Sequence, residues 1–153
     1  MKVYTPVDEV CTSIYPKSIF LAGSIANDTA EKWQDKALEI LNDTHYIVFN
    51  PRRAHWDSAL EQKITNPEFK KQVDWELSHL QRAEFKLFYF DPNTQSPITL
   101  LELGLMATRI PKRCVVVCNE PFWRKGNVDI VCETYGVKQV DTLEEAIEWL
   151  KRQ

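Results

Sequence analysis

The sequence predicts a single α/β domain, a five-stranded, mostly parallel sheet flanked by helices in a flavodoxin-like or Rossmann-like arrangement. Three observations carry that expectation. Short, nearly continuous apolar runs alternate with longer segments whose apolar residues recur every three or four positions. The connections between them are brief and rich in Gly, Pro, Asn and Asp. The length, 153 residues, suits one domain, and no repeat, linker or low-complexity stretch divides it, so residues 1–153 are read as one unit.

The elements follow in order. Ser18-Ile19-Phe20-Leu21-Ala22 reads as a strand buried on both faces, closed by Gly23. Asp28 with Glu31 has the spacing of a capping box, and Trp33, Ala37, Leu38 and Leu41 continue at helical spacing. Residues 46–49 form the second strand, ended by Asn50-Pro51, and a looser charged stretch follows to Thr65. Asn66-Pro67 is a cap followed by a proline suited to the first helical turn, and Phe69, Val73, Leu77 and Leu80 make one apolar stripe. Residues 85–90 are the third strand, and Asp91-Pro92-Asn93-Thr94 is a turn. Ser96-Pro97 repeats the cap-plus-proline signal and opens a helix to about Thr108. Residues 113–118 are the fourth strand. Asn127 is expected to cap a short helix ending at Gly136, residues 137–140 to form the fifth strand, and Asp141 with Glu144 to cap the last helix.

Composition narrows the function. Lys and Arg number 19 against 22 Asp and Glu, a net of -3, which argues against a nucleic-acid polymer as partner. Hydrophobic residues at 44% and charged residues at 27% are those of a folded globular chain. Cys11, Cys114, Cys118 and Cys132 lack zinc spacing, and His45, His55 and His79 form no ligand cluster, so no metal and no cofactor are expected. Unpaired buried thiols fit a reducing cytoplasm. No apolar run approaches the roughly 20 residues that span a bilayer, so no membrane partner is expected.

In parallel sheets ligands bind beyond the carboxyl ends of the strands, which directs attention to the loops after Ala22, Phe49, Phe90 and Cys118. Gly23-Ser24 either makes a plain strand-to-helix turn or cradles a sugar or phosphate. Arg52 and Arg53 either form a solvated face or hold an anion. Glu102 is the most informative residue. On a helix turning about 100° per residue, it falls among Ile98, Leu105 and Met106, where a carboxylate is costly unless paired, protonated or used. Glu76 borders the Val73/Leu77 stripe of the preceding helix. A carboxylate from each helix flanking one strand could converge at its end, and paired carboxylates are the usual equipment for cleaving glycosidic bonds.

These residues carry a resemblance. Residues 18–25, Val73-Asp74-Trp75-Glu76-Leu77, the strand 85–90, Leu101-Glu102-Leu103-Gly104 and the segment 126–132 together resemble the nucleoside 2-deoxyribosyltransferase family and its nucleotide-hydrolase relatives. The resemblance implies that Glu102 is a nucleophile attacking C1′ of the sugar and that Glu76 orients the nucleobase and handles its proton. It implies a covalent glycosyl-enzyme, resolved by a second base (transfer) or by water (hydrolysis to base and sugar phosphate). Gly23 and Ser24 would line the substrate. Phe20 stands where relatives often carry a Tyr, so that hydroxyl is missing. Asn127, with Asp129 in the same motif, falls where a neighbouring subunit reaches the sugar's 5′ end, which implies a homodimer or larger homo-oligomer with shared sites.

Six positions before Glu102, relatives that use unphosphorylated nucleosides have an Asp, whereas this chain has Ser96, as the nucleotide-cleaving relatives do. That difference favours a 5′-monophosphate, with Arg52, Arg53 or Arg124 as further anion contacts, unless Ser96 merely caps its helix. The implied partners are a nucleoside or nucleotide and a free nucleobase. A non-catalytic nucleotide-binding module is the alternative from another class.

Overall fold

In the computed structural model, which describes residues 1–6, 8, 17–25, 32–53 and 61–153, the apolar runs become strands of one sheet. Among the described residues these are β1 (Lys2–Tyr4), β2 (Ser18–Gly23), β3 (Ile47–Phe49), β4 (Phe85–Phe90), β5 (Cys114–Cys118) and β6 (Lys138–Val140). Their order is β1-β3-β2-β4-β5-β6, and every neighbouring pair is parallel. The sheet has six strands rather than the expected five. The addition is β1, which has no apolar run of its own and exists by pairing Lys2, Val3 and Tyr4 with Ile47, Val48 and Phe49.

The helices are α1 (Trp33–Leu41), α2 (Pro67–Arg82), α3 (Pro97–Ala107), α4 (Lys125–Tyr135) and α5 (Leu143–Lys151). The Asn66 side chain caps α2 as expected, accepting from the Glu68 and Phe69 amides at 3.1 and 3.2 Å. Two other starts differ from expectation, and the capping pair Asp28/Glu31 lies outside the described residues. Helix α4 begins at Lys125, so Asn127 sits inside its first turn instead of capping it, while Gly136 ends it with φ 70. Helix α5 is capped one residue later than Asp141, by Thr142, whose hydroxyl accepts from Glu145 N at 3.1 Å. Glu145, not Glu144, returns the interaction to the Asp141 amide at 3.0 Å.

Alternation along the buried strands sends side chains to two faces. Phe20, Ala22, Phe88 and Val116 pack with Trp75, Leu80, Leu103, Met106 and Val128, which come from α2, α3 and α4. Ile19, Leu21, Leu87, Val115 and Val117 pack with Trp33, Ala37, Leu41, Ala146 and Ile147 of α1 and α5. Cys114, Cys118 and Cys132 are buried free thiols, and Cys11 lies outside the described residues. Lys86 is fully buried; its ammonium donates to Ala83 O, and burial lowers its pKa to about 8. Among the described residues no helix is long and apolar enough to cross a membrane.

Because all strands are parallel, the carboxyl ends of β2 and β4 lie at the same edge. Helix α2 leads into β4 and α3 leaves it, both on one face of the sheet. This topology, rather than any local motif, brings Glu76 and Glu102 together.

Candidate active site

A cavity of about 530 Å³ opens at that edge. Its base is Gly23 and Ser24 at the end of β2, one wall is Gln72, Val73, Glu76 and Leu77 of α2, and the other is Ser96, Thr99, Glu102 and Leu105 on α3 and its approach. Pro51 and Arg53 close one side.

Gly23 is there because nothing larger fits. A Cβ would overlap the Trp33 ring and lie 2.6 Å from Tyr89 O. Trp33 stacks on Tyr89 with centroids 4.9 Å apart, and its Nε1 donates to Ser24 O at 3.1 Å, so the indole fixes the turn from behind. Ser24 N donates to Tyr89 O at 3.1 Å, which carries the β2–β4 register one residue past the strand.

The Ser24 hydroxyl joins two loops. It accepts from Asp91 N at 3.0 Å and from Thr94 Oγ1 at 2.8 Å, and it is hydrogen-bonded to Ser96 Oγ, which lies 2.7 Å from Thr94 Oγ1. Three hydroxyls therefore meet where α3 begins. Ser96 does not cap α3 through its side chain, contrary to the simplest reading of Ser-Pro. Its backbone is left-handed, φ 46, which turns the hydroxyl towards Ser24 and Thr94. Thr94 does not line the cavity itself but holds the Ser24 and Ser96 hydroxyls that do, and in sequence it reads only as part of a turn.

The two carboxylates differ in their surroundings. Glu102 is only 7% exposed, and among the described residues no hydrogen-bond donor reaches it. Burial first, then the neighbouring charge of Glu76, lifts its pKa to about 8. Glu76 is also raised by burial, but Gln72 Nε2 donates to its Oε1 at 2.6 Å and the Arg53 charge favours its ionised form. At neutral pH the pair holds a proton, and the site can both offer and receive one. Gln72 was another residue sequence reading passed over, although its position four residues before Glu76 is the spacing of helical neighbours.

The adjacent arginines part company. Arg53 lines the cavity and has Glu68 at 3.7 Å on its outer side. Arg52 turns the other way, buried, with Nη1 donating to Gln34 Oε1 at 3.2 Å. Arg124 lies over the Trp123 ring at 4.2 Å, outside the cavity lining. Phe20 is fully buried in the core below the cavity and does not line it. Asn127 is exposed on α4. Asp129 accepts from Lys125 and Gln139, each at 2.6 Å, and faces a separate cavity of about 520 Å³ that also meets Cys132, Val137 and Trp149. Within one chain the cavity thus gathers Gly23, Ser24, Arg53, Glu76, Ser96 and Glu102, and leaves Phe20, Arg52, Asn127 and Asp129 apart.

The family model described as nucleoside 2-deoxyribosyltransferase like matches residues 16–122, more than half the chain. The chain belongs to the nucleoside 2-deoxyribosyltransferase-like family. The matched span contains every element that lines the cavity and ends before α4. No curated protein matches the chain. Family membership supports an enzyme of nucleoside deoxyribosyltransferase type, acting on small-molecule nucleosides.

Proposed function

We propose that this pocket cleaves the N-glycosidic bond of a 2′-deoxynucleoside or its 5′-monophosphate and passes the deoxyribosyl group to another nucleobase through a glycosyl-Glu102 intermediate. The observation that carries this reading is the pair itself, Glu76 and Glu102 on opposite walls of one cavity, with Glu102 buried and, among the described residues, reached by no donor. A Glu102 oxygen attacks C1′, and the C1′–N bond breaks with its electron pair going to the base. The base nitrogen needs a proton and Glu102 must lose one, since its pKa near 8 keeps it protonated in the empty pocket. Glu76 ionises more readily and relays that proton to the leaving base, so charge and atoms balance. A second base reverses the steps: it gives its N–H proton to Glu76, attacks C1′ from the same side and frees Glu102, with net retention.

The 5′ end of the sugar is assigned to Ser24, Thr94 and Ser96 at the start of α3. Uncharged hydroxyls and the positive end of a helix suit a phosphate, which an acidic residue would repel. Pro97 supplies no amide hydrogen there, and Arg53 is the nearby cation in the lining. This observation favours a second reading, in which water resolves the intermediate of a 5′-monophosphate and the products are base and sugar phosphate.

The assembly is part of the proposal. Ile98, Leu101 and Leu105 are 60%, 61% and 40% exposed beside the cavity. A second copy would cover them, and α4 of that copy would be the source of Asn127 and Asp129. The test is a chromatographic product screen of deoxynucleosides and their monophosphates, each with and without a free acceptor base. Exchange of base supports transfer, free sugar phosphate supports hydrolysis, and Glu102→Ala should abolish either. Base release by Glu102→Ala at the wild-type rate would sink the mechanism.

A further inference from the structure

The two carboxylates have near-identical chemistry, yet the reaction proposed above needs one to start protonated and the other ionised. Something must break the tie. Burial raises both, Glu102 the further, and what sets Glu76 apart is that groups beside it favour its ionised form. The groups around Glu76 are Gln72 on its own helix, Arg53 from the loop after β3, and Glu102 from α3. Arg53 is shared with Glu68 on the protein's outer side, which dilutes its effect. Gln72 is different, being 3% exposed and fixed.

The Gln72 carboxamide has its NH₂ between two acceptors, Pro51 O at 3.4 Å and Glu76 Oε1 at 2.6 Å. Its own carbonyl oxygen is buried and, among the described residues, has no hydrogen-bond partner. An unpartnered buried acceptor is unfavourable, and turning the amide over would only move it against the Glu76 oxygens. The arrangement is stable when Glu76 is a carboxylate, because a carboxylate accepts and cannot donate. We propose that Gln72 is a positioning residue that holds Glu76 in its ionised form and thereby leaves the pair's proton on Glu102. This rests on the functional reading above only for its catalytic consequence; the order of protonation is a property of the empty protein.

The test is side-chain carboxyl ¹³C NMR of glutamate-labelled, ligand-free protein across pH, with Glu76→Gln and Glu102→Gln used to assign the two resonances. In the wild type Glu76 should titrate below Glu102. Gln72→Leu, similar in volume and without donors, should raise the Glu76 midpoint by about one pH unit, the worth of one hydrogen bond to a charged group. The order of the pair should narrow or invert. Gln72→Glu, which fills the same space with an acid, serves if the Leu variant does not fold, and should raise the midpoint further by like-charge repulsion. A Glu76 midpoint that stays within a few tenths of a unit in a folded variant overturns the proposal. Where the product screen yields a substrate, the acidic limb of kcat/KM should move up with the same variant. If the NMR order holds while no substrate reacts, the functional reading falls and the assignment of the proton stands.

Discussion

Glu102→Gln should stabilise the protein, and by an amount that depends on pH. An ordinary glutamate titrates near 4.5, whereas in this pocket burial and Glu76 raise Glu102 to about 8. At about 1.4 kcal/mol per unit, ionising Glu102 in the fold costs about 5 kcal/mol more than ionising it in the unfolded chain. The sign follows from where the proton sits. Below about pH 4.5 both states are protonated and the residue contributes nothing to the pH dependence. Between 4.5 and 8 the folded chain holds a proton that the unfolded chain has released, so wild-type stability falls as pH rises. Above about 8 both states are ionised and the loss is complete. Glutamine has no such titration and nearly the same shape. The stability gain of Glu102→Gln over wild type should therefore be small at pH 5 and approach about 5 kcal/mol by pH 9, as the same linkage requires. Urea unfolding at those two pH values, with the slope checked for constancy, measures the difference. Equal gains at both pH values would refute the claim that Glu102 ionises against the grain of the fold. The variant should also be inactive in the product screen, so that stability rises as function is lost.

Two further perturbations probe the frame around the site. Gly23→Ala forces a Cβ against the Trp33 ring and Tyr89 O, 2.6 Å away, and should destabilise by about 1–3 kcal/mol while lowering base release, read by thermal unfolding and the product assay. Unchanged stability would mean that Trp33 yields freely. Lys86→Met should be neutral or stabilising by up to about 3 kcal/mol near pH 7, since it replaces a buried ammonium by an apolar chain of similar length. Because Lys86 titrates near 8 in the fold and 10.5 outside it, wild-type stability recovers as pH rises through that window, and the advantage of Met should vanish by about pH 10.5 in the same melts.

The strands that carry their own apolar runs, β2, β4 and β5, were legible in sequence nearly to the residue, because burial on both faces leaves no room for polar positions. β1 was not, since its three residues gain stability only from β3 beside them. Caps were legible where one residue had a clear claim, as at Asn66, and slipped where two neighbours competed, as at Asp141 and Thr142. Glu102 could be singled out from helical geometry alone, because a carboxylate among Ile98, Leu105 and Met106 is a conflict visible in one dimension. The division between Arg52 and Arg53 could not, because consecutive residues of irregular chain point apart and nothing local says which faces the cavity. Gln72 and Thr94 are neutral polar residues whose meaning comes from partners on other elements, or from a buried carbonyl that only the packed structure reveals.

The outermost strands, β1 and β6, are three residues each, while the interior β2 and β4 have six. A sheet grows by adding a strand to an edge, and an edge this short presents too few unpaired amides and carbonyls to template one. Among the described residues the sheet's edges are therefore poor templates for extension, which guards a β-rich core against fibril-type stacking. The exposed Ile98, Leu101 and Leu105 on a helix offer the opposite kind of surface, one on which fit rather than backbone pairing would select a partner.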